Sequence, residues 1–242
     1  MLVYGHRGAG GEAPENTIAG CRHAIERGTR YLELDMRLSK DDQIVMIHDE
    51  SVDRTADDKG KVNSYTVAEL KGMDARQSGA PWPDKEGVGI VTLDEMLDAT
   101  QEIKGYQLEV KTGPTEQMER IAELLAEKFP SEATVEKVVI TSSSLTLLQR
   151  LMTLAPHIPR GYISITPNPF PVLDRFKCSL LAMNWSVCNI INLGHARRKG
   201  LHISVWTVND ASVIKNLHRS KVDSVITDFP SMALPLIASF ER

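Results

Sequence analysis

The sequence predicts a (β/α)8 barrel (the TIM-barrel class) formed as one domain over residues 1–242, and two observations carry that expectation. Eight short runs rich in β-branched or apolar residues alternate with stretches of helical periodicity, the pattern of βα units on a parallel sheet. The side chains able to do chemistry collect at the C-terminal ends of those runs, the pole at which barrel enzymes carry their sites. A length of 242 residues suits one such barrel with a well-buried core.

The first run, LVYG at 2–5, leads into His6, Arg7 and the glycine-rich turn GAGGEAPENT, in which Asn16 or Thr17 can cap a helix that begins near Ile18 and runs to about residue 27. The second, YLELDMRL at 31–38, alternates: Leu32, Leu34, Met36 and Leu38 share one face, Glu33, Asp35 and Arg37 the other. Residues 43–90 then break the rhythm. QIVMIH reads as the return arm of a hairpin, and the polar stretch, the short helix TVAELKG and the run GAPWPDKEGVG after it predict a small insertion over one barrel mouth. A helix follows at 92–103, then the strand YQLEVK at 106–111 and a helix at 116–129 with the apolar stripe Met118, Ile121, Leu124, Leu125 and Phe129. The remaining strands are 137–141, 160–165, 179–183, 203–208 and 223–227, with helices at 145–155, 189–199, 211–219 and 231–240. No helical pattern is read between 165 and 179.

The formal charge of −4 provides no basic field, which argues against nucleic acid or an anionic membrane as partner and favours a small diffusible molecule. Cys21, Cys178 and Cys188 show neither zinc spacing nor an even count for a disulfide framework, and read as reduced thiols. The apolar start MLVY is too short for a secretory signal, and no run approaches the roughly 18 apolar residues of a membrane span. A cytoplasmic protein without stable membrane association is expected. Exposed faces of barrel helices can support a homo-oligomer, but no surface stands out as an interface.

Both faces of a parallel barrel strand are covered, so Glu33 and Asp35 pointing inward together require a cation. QLEVK repeats the motif, with Glu109 and Lys111 on one face. Three carboxylates without a His/Cys cluster suit a hard divalent ion, Mg²⁺ or Ca²⁺, better than zinc; an internal Glu109–Lys111 salt bridge is the competing explanation of that pair. An arginine, a lysine and a divalent ion at one point make a site for a phosphoryl anion, and His6 and His48 supply an acid and a base. Phosphodiester cleavage uses both.

The motifs HRGAGGEAPENT, ELD, HD with a downstream RT, LEVK, WTVN and ITDFP, in this order from Tyr4 to Pro230, resemble the glycerophosphodiester phosphodiesterase family, phospholipase C-like phosphodiesterase barrels, here of the cytoplasmic bacterial type. The resemblance implies divalent-cation-dependent hydrolysis of glycerophosphodiesters to sn-glycerol 3-phosphate and an alcohol. It makes His6 and His48 the acid/base pair and Glu33, Asp35 and Glu109 the metal ligands. Arg7 and Lys111 would hold phosphate oxygens, and Trp206 would line the pocket. Asp49 could orient the His48 ring or simply begin the next turn. The chain departs from the family pattern at Val91, where a proline is common, and at SSSL after the strand 137–141, where an aromatic is common. Two other readings stay open: a phospholipase D-like enzyme on lipid headgroups, engaging a bilayer through GAPWPDKEGVGI or ITPNPFP, and a non-catalytic phosphoester-binding barrel.

Overall fold

The computed structural model describes residues 1–240. Eight parallel strands close on themselves: β1 (Leu2–His6), β2 (Tyr31–Leu38), β4 (Gly105–Val110), β5 (Val138–Ser142), β6 (Arg160–Ser164), β7 (Leu180–Asn184), β8 (His202–Trp206) and β9 (Ser224–Thr227), with β9 and β2 both pairing with β1. The expected hairpin is present. β3 (Ile44–Met46) runs antiparallel to β2, with Met36 opposite Met46, outside the closed ring. This is the (β/α)8 barrel that the alternation of elements predicts.

The helices outside the ring are α1 (Ile18–Glu26), α2 (Val67–Gly72), α3 (Leu93–Ala99), α4 (Thr115–Lys128), α5 (Leu145–Leu154), α6 (Phe170–Arg175), α7 (Ile190–Arg198), α8 (Ala211–Arg219) and α9 (Pro230–Phe240). Thr17 caps α1 by accepting a hydrogen bond from the Gly20 amide, so of the two candidates the threonine is the cap. α3 starts on a reciprocal capping box between Thr92 and Glu95, which fixes the helix entry with valine at position 91. α4 buries Met118, Ile121, Ala122 and Leu125 against the sheet, with Phe129 buried just past its end.

One helix was not legible in the pattern. α6 begins inside PNPFPVLDR, where Pro169 and Pro171 suggest loop; proline is tolerated in a first helical turn, whose amides have no intrahelical acceptor. The same helix corrects the reading of ITPNPFP as an exposed apolar stretch: Phe170 and Leu173 are buried beside β6, and Ile165 alone of the large apolar residues there is strongly exposed.

The insertion after β2 has an apolar nucleus of its own, with Val45, Ile47, Val52, Val62, Leu70, Met73 and Ile90 among its buried members. It leans over the β1 side of the mouth, where the Ala19 amide donates to the Gly87 carbonyl and the Ser78 hydroxyl donates to Glu15. Ile90 is therefore core, and the edge of Trp82 meets the His23 ring. Of GAPWPDKEGVGI, neither large apolar group forms a free surface.

Candidate active site

The strand registers explain why dispersed residues meet. His6 at the end of β1 is in register with Glu33 of β2, and Asp35 of β2 is in register with Glu109 of β4. Because alternate side chains share a face, Glu33, Asp35 and Glu109 all project to the barrel interior, where ligand oxygens of the three lie within 4.8 Å of one another. All of the sequence-predicted site residues gather here. His6, Arg7, Glu33, His48, Glu109, Lys111 and Trp206 line one cavity of about 190 Å³, and Asp35 sits immediately beneath, fully buried.

The turn after β1 makes this geometry available. A Cβ on Gly5 would lie 2.0 Å from the Gly8 carbonyl oxygen, so only glycine lets the chain fold back there. Arg7 itself has a left-handed backbone, φ 53°, held by its amide donating to the Glu33 carbonyl at 2.7 Å. Arg7 Nε then stands 3.1 Å from Asp35 Oδ2, and its Nη1 donates to Glu15 Oε1 at 2.9 Å. Asn16 reinforces the loop by donating to Asp35 Oδ2 and accepting from the Asp35 amide.

Lys111 lies one residue past β4 and donates from Nζ to Glu109 at 2.6 Å, so the salt bridge considered as an alternative exists; the same ammonium also stands 3.3 Å from Asp35 Oδ1. The pairing does not exhaust the cluster. Asp35 Oδ1 is buried and accepts no hydrogen bond, and three carboxylates face two cations, one of which, Arg7, is shared with Glu15. Burial, with the charge of Asp35 added, pushes Glu33 up to about 8 and Glu109 also upward. Burial opposes the Asp35 charge as well, but Lys111 and Arg7 overcome it and hold that carboxyl low. Three carboxylates within reach of one another, one with a buried oxygen that accepts no hydrogen bond, form an all-oxygen donor set that fits a hard divalent cation.

Each histidine has a carboxylate on Nδ1. His6 Nδ1 is 2.5 Å from Asp228 Oδ1, and Asp228 is fixed in turn by Asn209, whose amide donates to Oδ2 at 2.6 Å. His48 Nδ1 is 2.6 Å from Asp49 Oδ1, so Asp49 orients the ring. An ionised carboxylate on Nδ1 makes that nitrogen the donor and leaves Nε2 for the pocket; His6 Nε2 lies 3.8 Å from Glu33. Burial works against the charged His6 ring, yet the Asp228 hydrogen bond and the Glu33 charge raise its pKa; burial lowers that of His48. Asp228, Glu15 and Arg54 are site partners for which sequence reasoning assigned no role, and Asn16, read there as a candidate helix cap, holds Asp35 instead. The motifs ITDFP, PENT and RT displayed them, but their partners lie up to 222 residues away.

The far wall differs. Ile163, Ala182, Trp206 and Ile226 close the pocket from β6, β7, β8 and β9, with Thr141 from β5. Thr141 is the β5 residue of that wall; the serines that stand in place of an aromatic are used elsewhere, Ser142 donating its hydroxyl to the Val110 carbonyl and Ser144 capping α5.

Fold and site together define a barrel enzyme whose acids, bases and cations converge at the C-terminal mouth. The chain belongs to the Glycerophosphoryl diester phosphodiesterase family, which it matches over residues 6–232. It is 34% identical to YhdW of Bacillus subtilis over 97% of each chain, and 31% identical to the glycerophosphodiester phosphodiesterase of Caldanaerobacter subterraneus over 98% of this chain and 97% of that one. Among solved structures, an Oleispira antarctica phosphodiesterase in complex with its product sn-glycerol-3-phosphate superposes with a TM-score of 0.84 at 25% identity, covering 98% of this chain and 97% of the other.

Proposed function

We propose that this protein hydrolyses small glycerophosphodiesters, such as glycerophosphocholine or glycerophosphoethanolamine, to sn-glycerol 3-phosphate and an alcohol, with the whole of 1–242 acting as one catalytic domain in the cytoplasm. The observation that carries the reading is the convergence of two carboxylate-tethered histidines, two cations and a three-carboxylate cluster on one cavity. The product held by the similar Oleispira enzyme supports the glycerol 3-phosphate side of the substrate.

Glu33, Asp35 and Glu109 would hold a divalent cation, Mg²⁺ or Ca²⁺, which when bound supplies charge neutralisation to the phosphodiester oxygens. Arg7 and Lys111 orient the remaining phosphate oxygens; each is already pinned by buried carboxylates, so little ordering is left to do on binding. His6 and His48 present Nε2 to the pocket, one removing a proton from the attacking oxygen, either water or the glycerol 2-hydroxyl whose cyclic phosphate water then opens to glycerol 3-phosphate, and the other delivering a proton to the leaving alcohol oxygen. Trp206 closes the opposite side, where an indole face suits the glycerol carbons.

The test is incubation of the metal-loaded protein with glycerophosphocholine and identification of the phosphorus product by ³¹P NMR. Glycerol 3-phosphate is expected; an unchanged diester across several headgroups overturns the reading. A second reading, cleavage of lipid headgroups, is favoured by Ile165, Trp185, Ile190 and Ile191, exposed beyond the ends of β6 and β7. No helix among the described residues is long and apolar enough to cross a membrane, so that reading requires sedimentation with lipid vesicles through these residues.

A further inference from the structure

Arg54, in the insertion, stands between two carboxylates that each hold a residue lining the pocket, Glu15 on Arg7 and Asp49 on His48. Its Nη1 and Nη2 donate to Glu15 Oε2 and Oε1, both at 2.7 Å, and its Nε and Nη2 donate to Asp49 Oδ2 and Oδ1 at 2.7 and 3.1 Å. One planar guanidinium is thus forked onto two acids at once, a geometry a lysine ammonium cannot reproduce. Glu15 receives Arg7 on the same Oε1 and Ser78 on Oε2, while Asp49 receives His48 Nδ1. The result is an unbroken chain, Arg7–Glu15–Arg54–Asp49–His48, from the turn after β1 to the turn after β3.

Glu15 is buried, so its pairing is shielded from solvent, whereas Arg54 itself is 43% exposed. Its hydrogen bonds go to the two carboxylates, and it is not among the apolar residues that form the nucleus of the insertion. Removing it would leave the insertion folded but free Asp49 to rotate and leave Arg7 as the sole strong partner of Glu15.

We propose that Arg54 is a positioning residue, its single guanidinium fixing the separation and orientation of the Arg7 guanidinium and the His48 ring across the mouth of the pocket. The inference rests on the hydrolytic reading of that pocket. A misplacement of about 1 Å in reacting groups lowers rates by roughly 100-fold, and Arg54 controls two such groups together.

The experiment compares wild type with Arg54→Met, Arg54→Lys, Glu15→Gln and the Glu15→Gln/Arg54→Met pair, using glycerophosphocholine turnover and the His48 Nδ1–H proton resonance. Arg54→Met is expected to lose about 100-fold in kcat, with KM raised as Arg7 shifts from the phosphate and a melting temperature near wild type, and Arg54→Lys to remain impaired. The double variant should lose no more than the worse single variant, since both cut one chain. Millimolar guanidinium ion should restore turnover to an Arg54→Ala variant with saturation, which a merely structural role would not allow. The His48 proton should broaden in Arg54→Met, an outcome readable even if no substrate is turned over. Wild-type kcat in Arg54→Met, full rescue by lysine, multiplicative losses in the double variant, or an unchanged His48 proton would overturn the proposal. Inactivity of wild type on every glycerophosphodiester would instead sink the hydrolytic reading, with the His48 resonance still deciding the clamp; if Arg54→Met does not fold, Glu15→Gln and Arg54→Lys carry both readouts.

Discussion

The two halves of the barrel mouth are made from the same βα units but are held by different physics. Around β1, β2 and β4 the inward positions are Glu33, Asp35 and Glu109, with His6, Arg7 and Lys111 at the strand ends. Around β6, β7 and β8 they are Ile163, Ala182 and Trp206, backed by an apolar cluster that includes Leu181, Met183, Ile203 and Val205. The charged half keeps like charges buried at close range, which lowers stability in the absence of a cation, over an apolar cluster that includes Leu32, Leu34, Met36 and Leu108; the other half carries apolar side chains up to the mouth itself. Charged and apolar inward positions are thus separated around one mouth, and substitutions at the two sets should behave differently.

The largest effect is expected on the charged side. His6→Ala should lower kcat by about 10²- to 10⁴-fold, measured by coupled detection of glycerol 3-phosphate, while the melting temperature stays close to wild type. Its counterpart across the ring, Leu181→Ala, should cost about 2–5 kcal/mol of stability by opening a cavity among fully buried side chains, read from denaturant unfolding, with turnover per folded molecule preserved. If the two variants showed the same profile, the division of labour would be wrong.

A smaller, pH-dependent effect sharpens the contrast. Glu33 is pushed up to about 8 by burial and the neighbouring Asp35 charge, from an ordinary value of 4.5. A raised carboxyl stabilises the fold fully below the unfolded value, where both states hold the proton, and that contribution is lost as pH rises through about 8. Metal-free protein should therefore melt at lower temperature at about pH 9 than at about pH 6, and Glu33→Gln should flatten that slope and raise the pH 9 melting temperature. Smallest of all, Asp228→Asn should leave the fold intact and cut turnover by roughly 10- to 100-fold, because the amide no longer fixes which nitrogen of His6 carries the proton; equal rates would show that ring orientation is set elsewhere.

Much of this was readable in the chain. The period-two alternation of YLELDMRL and QLEVK placed Glu33, Asp35 and Glu109 on inward faces, and the strand registers bring them together as that alternation requires. Local sequence could not show the partners. Arg54 meets Glu15 across 39 positions and Asp228 meets His6 across 222, contacts created by closure of the ring and by the insertion folding back. The helix Phe170–Arg175 escaped for the opposite reason: its prolines are a strong local signal for loop, overridden by burial of Phe170 and Leu173.

Glu33, Asp35 and Glu109 are predicted to hold a divalent cation. This is tested most directly by calorimetric titration of Mg²⁺, and separately of Ca²⁺, into metal-stripped wild type and Glu33→Gln near neutral pH. Uptake of one ion per chain with proton release in wild type, weakened and without proton release in Glu33→Gln, is the predicted result. Identical binding by both proteins, or none by wild type with either ion, would contradict it.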